Sequence, residues 1–120
     1  DQLRDARERL IAVGLSPRVL VDCSHANSQK DFRKQSIAWR DVIRQRVEGD
    51  DAAIGLMLES NINEGTQKLT GDPSKLQYGV SITDGFIGWD ETHELILDAS
   101  AQLAGTVAWS VGSAAGSSGT

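Results

Sequence analysis

The sequence predicts an α/β fold built on a parallel sheet, and three features carry that prediction. Helical periodicity alternates with short apolar runs in the order helix, strand, helix, strand, long loop, helix. Both short runs are almost continuously apolar, as strands covered on two faces must be. Both runs also end in polar residues, at the carboxyl end of the strand where α/β folds place their sites. Two strands can neither close a barrel nor bury both faces of a doubly wound sheet. The chain is therefore either a small open α/β unit or a slice of a larger fold, and the strand pattern favours the slice.

The first helix spans residues 3–13, with Leu3, Ala6, Leu10 and Val13 on one stripe. Gly14 stands where a helix takes a left-handed terminal residue, and Pro17 bars continuation. The strand over 18–24 follows, Arg18-Val19-Leu20-Val21-Asp22-Cys23-Ser24. Residues 29–47 return to helical spacing, with Phe32, Ser36, Trp39, Ile43 and Val47 inward and Arg33, Lys34, Arg40, Arg44 and Arg46 on a wet or subunit-facing side. Gly49-Asp50-Asp51 breaks that helix before the second run, 52–58, at whose end Glu59 stands. From Ser60 to Trp89 the chain has no clean period and repeated glycines, with one extended piece expected at 80–83. Loops of this length in a compact domain are usually lids or site-forming segments. Asp90 is the expected N-cap of a last helix carrying Leu95, Ala99 and Leu103 and closed by Gly105. Residues 1–105 thus form the structured portion, and the Gly/Ser/Ala-rich tail 106–120 is expected to be poorly ordered.

Composition narrows the function. With 12 Lys+Arg against 17 Asp+Glu the formal charge is -5, and no basic run offers a nucleic acid or an anionic membrane surface a footing. No apolar run approaches the roughly 20 residues that span a bilayer. A lone cysteine, Cys23, excludes an internal disulfide framework and fits a reducing, cytoplasmic setting. The opening Asp1-Gln2-Leu3-Arg4-Asp5 has neither a methionine nor a signal peptide's apolar core, and reads as a chain that begins mid-protein.

His25 follows the first strand, Glu59 ends the second and Asp84 falls in the long loop. One imidazole and two carboxylates from separate segments suit a divalent transition metal, and equally an acid–base pair. Singly each has a plainer role: a hydrogen-bonded strand-end His, a Glu paired with an Arg, an Asp capping a turn. Asp22, among apolar neighbours, needs a buried partner and fits behind the ligands. Cys23 reads as a small buried residue and His93 as exposed in an acidic first turn. No P-loop, dinucleotide glycine signature, CxxC pair or nucleophile elbow occurs.

Three strings resemble class I DAHP synthase (3-deoxy-7-phosphoheptulonate synthase). They are Val21-Asp22-Cys23-Ser24-His25-Ala26-Asn27-Ser28; Leu58-Glu59-Ser60 with Asn63-Glu64-Gly65-Thr66-Gln67; and Tyr78 to Trp89, containing Ser81-Ile82-Thr83-Asp84 and Ile87-Gly88-Trp89. The resemblance runs in order from the first helix to about Gly105 and implies the C-terminal part of a (β/α)8 TIM barrel, incomplete as given. It implies condensation of phosphoenolpyruvate with erythrose 4-phosphate, the first step of the shikimate pathway to aromatic amino acids, in a homo-oligomer. It also implies one divalent cation, Mn, Fe, Co or Zn, held by His25, Glu59, Asp84 and a cysteine upstream of Asp1. Cys23 does not replace that cysteine, since the family's motif has a non-ligand there. Asp22, Ser24, Asn27 and Ser28 are then candidates for supporting the ligands or lining the substrate loop.

The Lys and Arg residues that clamp the substrate phosphates in the family lie mostly outside this sequence, so the chain alone is expected to be inactive. Two rivals accompany this expectation. One is a non-catalytic truncated module that binds metal or a partner. The other is the sister synthase using arabinose 5-phosphate, against which the Ser-Ile-Thr-Asp…Ile-Gly-Trp string argues.

Overall fold

A computed structural model of the chain describes residues 2–25 and 31–105. Helix α1 (Gln2–Ala12) leads to strand β1 (Val19–Asp22), and a single 3-10 turn (Phe32–Lys34) opens helix α2 (Gln35–Val47). Strand β2 (Ala53–Met57), a second 3-10 turn (Pro73–Lys75) and helix α3 (Trp89–Leu103) complete the order. The α/β class with a parallel sheet is what the chain adopts. The element order is as expected, and the expected tail at 106–120 lies outside the described residues.

β1 and β2 pair in parallel with Leu20 opposite Gly55, Val21 opposite Leu56 and Asp22 opposite Met57. A Cβ at Gly55 would lie 2.9 Å from Leu20 Cδ1, so the small residue makes room for the larger one across the ladder. The crossover between the strands is α2, which packs on α3. Val42, Ile43, Ala53, Ile87, Leu95 and Ala99 are buried, and Trp39 Nε1–H donates to the Leu95 carbonyl at 3.2 Å, tying the two helices together. A groove of about 560 Å³ between α2, α3 and β2, lined among others by Trp39, Ile54, Leu56, Ile96 and Leu103, contains none of the polar residues that end the strands.

Gly14, with φ of +77°, ends α1 as its sequence position required. The other boundaries shift for identifiable reasons. β1 stops at Asp22, where the chain turns, so Cys23 and Ser24 lie beyond the strand. The extended piece at 80–83 is no strand: Ser81 makes one bridge to Thr66, because the surrounding loop is tied by scattered bridges and side chains. Asp90 is inside α3. Gly88 is its N-cap, with no side-chain cap, and Thr92 Oγ1–H donates to the Gly88 carbonyl at 2.9 Å. Burial on two faces, expected of both strands, is not met among the described residues: Leu20 is 64% and Ile54 61% exposed. α1 likewise buries no residue completely, and Val13 is exposed. On α2 the buried positions are Gln35, Val42 and Ile43 rather than Val47, and Arg46 turns inward to donate to the Ala53 carbonyl.

Candidate metal centre

β1 delivers Asp22 into a tight turn. Its Oδ1 accepts from the Ser24 N–H at 2.8 Å, from Ser24 Oγ at 2.5 Å and from the His25 N–H at 3.4 Å. An Asp that caps the backbone two and three residues on closes such a turn with its own side chain. The second carboxylate oxygen, Oδ2, lies 2.6 Å from His25 Nδ1. Ser24 Oγ is 3.1 Å from the same nitrogen. The Nδ1 side of the imidazole is thus occupied, and Nε2 faces Glu59, 3.5 Å from its Oε1.

Glu59 is set by a different device. Gln35, fully buried at the start of α2, donates Nε2–H to the Glu59 carbonyl at 3.1 Å and accepts from the Glu59 N–H at 2.9 Å. Ile87 N–H reaches that same carbonyl at 3.2 Å, which brings the Asp84 loop to the end of β2. The loop is held further by paired backbone hydrogen bonds between Gly65 and Phe86 and by Thr66 Oγ1–H on the Thr83 carbonyl at 2.6 Å. Phe32 packs where a side chain on Gly85 would stand.

These connections gather His25, Glu59 and Asp84 so that one ligand atom from each lies within 4.8 Å of the others. His25 and Asp84 are exposed, while Glu59 is half-buried. The hydrogen bond that His25 donates to Asp22 chiefly, then the charges of Asp22, Glu59 and Asp84, raise the His25 pKa above its ordinary value. Burial works against the Asp22 carboxylate, but hydrogen bonds from the Ser24 and His25 side chains and backbone outweigh it and hold the group at about 2. Burial, and the adjacent Asp22 charge, push the Cys23 thiol up to about 11. Cys23 is completely buried and stands outside the three-residue group, so it is a packing residue.

Asp22 and Ser24 therefore stand directly behind His25, whereas Asn27 and Ser28 lie outside the described residues. His93 is exposed and stacks on Trp89 with ring centroids 6.0 Å apart, away from the group. Gln35 is the residue that hydrophobic periodicity passes over. It shares the inward face with Trp39 and Val42, at i+4 and i+7, and an amide in phase with such a stripe signals a buried polar contact.

An imidazole nitrogen and two carboxylates make a donor set that fits Mn, Fe, Co or Zn, with positions left for other ligands. The same groups can move protons, since Nε2 and Glu59 are close.

The signature of the DAHP synthetase I family matches residues 3–97. The chain is 44% identical over 95 residues to the Tyr-sensitive phospho-2-dehydro-3-deoxyheptonate aldolase of Salmonella typhimurium, covering 79% of this chain and 27% of that protein. It is 46% identical over 93 residues to the Phe-sensitive aldolase of Escherichia coli K12, covering 77% of this chain and 26% of the relative. The solved structure of phospho-2-dehydro-3-deoxyheptonate aldolase from Francisella tularensis SCHU S4 superposes with a TM-score of 0.76 at 32% identity, over 83% of this chain and 28% of that one. The chain thus spans little more than a quarter of the length of these relatives.

Proposed function

The chain belongs to the DAHP synthetase I family, and from that premise we propose that it is the C-terminal part of a (β/α)8-barrel enzyme, carrying three of its metal ligands. The reaction is condensation of phosphoenolpyruvate with erythrose 4-phosphate. C3 of phosphoenolpyruvate bonds to the aldehyde carbon, water adds at C2 and phosphate leaves, giving 3-deoxy-D-arabino-heptulosonate 7-phosphate. The observation that carries this reading is the convergence of His25, Glu59 and Asp84 within 4.8 Å from three separate segments.

His25 Nε2, Glu59 and Asp84 would hold a divalent cation, which when bound would supply Lewis-acid polarisation of the aldehyde oxygen. The rest is the work of the chain. Asp22, ionised down to about 2, accepts from His25 Nδ1–H and so leaves the Nε2 lone pair facing Glu59. Ser24 donates Oγ–H to the other Asp22 oxygen and keeps that carboxylate from rotating away. The loop from Gly65 to Ile87 folds back on the end of β2 and carries Asp84 with it. Because the chain spans little more than a quarter of its relatives' length, turnover belongs to the longer protein, and the isolated chain is a metal-binding piece without activity.

Two measurements test this. A protein carrying this segment together with the rest of the barrel, given Mn2+, should consume phosphoenolpyruvate absorbance with erythrose 4-phosphate and not with arabinose 5-phosphate. Preference for the pentose phosphate would overturn the substrate assignment. The 120-residue chain should develop Co2+ absorption that His25→Ala, Glu59→Ala and Asp84→Ala each abolish. Absorption unchanged in all three variants would remove the metal assignment.

A further inference from the structure

We infer that Gln35 is the positioning residue for Glu59, an inference that rests on the metal reading above. The geometry begins in the sheet. The Cys23 N–H donates to the Met57 carbonyl at 3.0 Å, closing the ladder between β1 and β2. Backbone groups of alternate residues in a strand point to the same edge. Two residues beyond Met57, β1 has become the Asp22–His25 turn and, among the described residues, offers Glu59 no ladder partner. Gln35 takes that place. Its amide presents one donor and one acceptor in the spacing of a peptide group, and pairs with both the N–H and the C=O of Glu59.

Three features make this more than a satisfied polar residue. The Gln35 side chain is completely buried, at a contact 24 residues distant in sequence, so it cannot exchange its partner for water. It is anchored in the first turn of α2, whose other buried residues, Val42 and Ile43, fix the helix in the core. And the Glu59 carbonyl it holds also receives the Ile87 N–H, three residues after Asp84. One amide thereby sets the backbone that carries the Glu59 carboxylate and the junction through which the Asp84 loop is docked. The chain spends this contact at the one point where β2 gives way to the group of three ligands.

The test uses the full 120-residue chain with Co2+ as the probe. Gln35→Met keeps the length and removes both hydrogen bonds, and Gln35→Glu keeps the shape and the acceptor while losing the donor. Both variants should bind Co2+ about 10–100-fold more weakly, with an altered visible spectrum at saturation and faster amide exchange at Glu59. Far-UV circular dichroism should stay at the level of the parent chain. Parent-like Co2+ affinity and spectrum in a folded variant would overturn the inference while leaving the metal reading intact. Loss of folding in both variants would also overturn it, by making Gln35 a residue of the fold alone. Absence of Co2+ absorption in the parent chain would overturn the metal reading, and this inference with it.

Discussion

His25 Nδ1 and Asp22 Oδ2 lie 2.6 Å apart across a turn of three residues, so the last residue of a strand orients the imidazole beyond it. The pair has a defined pH window. Asp22 is lowered from 3.8 to about 2, so its contribution to stability is present above 3.8 and is lost as pH falls through the folded value. His25 is raised above 6.5, so its contribution is complete below 6.5 and fades as pH rises through the raised value. Cation binding runs the other way, because Nε2 must be unprotonated to ligate. Co2+ affinity is expected to climb with pH through the His25 titration. Asp22→Asn should move that midpoint down toward 6.5 and weaken Co2+ binding about 10–100-fold. The His25 ring-proton shift in an NMR titration reads the midpoint directly, and an unmoved midpoint would contradict the pairing.

Cys23 should be inert in the folded chain. Its thiol is fully buried and is pushed up to about 11, so little thiolate forms at pH 8 and none of it is accessible. Iodoacetamide at pH 8 is expected to label the chain in urea and not in buffer, as read by intact mass. Rapid labelling in buffer would place Cys23 at the surface.

Leu95 joins α3 to α2. It is completely buried, and its carbonyl receives the Trp39 indole N–H. Leu95→Ala should cost about 2–5 kcal/mol, the range for deleting a buried leucine side chain. Trp39→Phe should cost about 1 kcal/mol through the lost hydrogen bond, beyond what the smaller ring loses in packing. Urea unfolding followed by circular dichroism separates the two, and a smaller effect for Leu95→Ala would argue against its place in the core.

Gly79 holds the long loop together at a point where no other residue fits. Its φ is +76°, and an added Cβ would lie 2.8 Å from Ile62 Cβ. Its carbonyl also receives the Asn63 N–H at 2.9 Å. Gly79→Ala should cost about 1–2 kcal/mol for the left-handed backbone alone, with faster amide exchange at Asn63. An Ala variant with parent-like stability and exchange would mean that the loop is less constrained than its geometry.

Much of this arrangement is legible in the sequence because it depends on local chemistry. Gly14 and Pro17 end α1 through backbone dihedrals, and the alternation of helical and apolar segments fixes the order of the elements. The three polar residues beyond the strands are legible too, since an apolar strand makes its polar terminus conspicuous. What escapes is long-range. Gln35 meets Glu59 through a contact that no periodicity encodes. The loop at 80–83 looks extended, yet it is tied by Gln67 side-chain hydrogen bonds to the Gln77 and Val80 carbonyls. Asp90 has the chemistry of a cap, but Gly88 takes that position because Trp89 N–H is drawn to the Ile62 carbonyl at 3.2 Å.

The two-stranded sheet has a further consequence. Among the described residues each strand pairs with no strand but the other, and Leu20 and Ile54 remain largely exposed. Unpaired strand edges flanked by apolar side chains are templates for adding more backbone. Prepared by itself, the chain should associate more readily as its concentration rises, and the lengthening of β-structure rather than helix should accompany that association. A partner that supplies strands on either flank would cap this growth, so colloidal behaviour reports whether the sheet has found its neighbours.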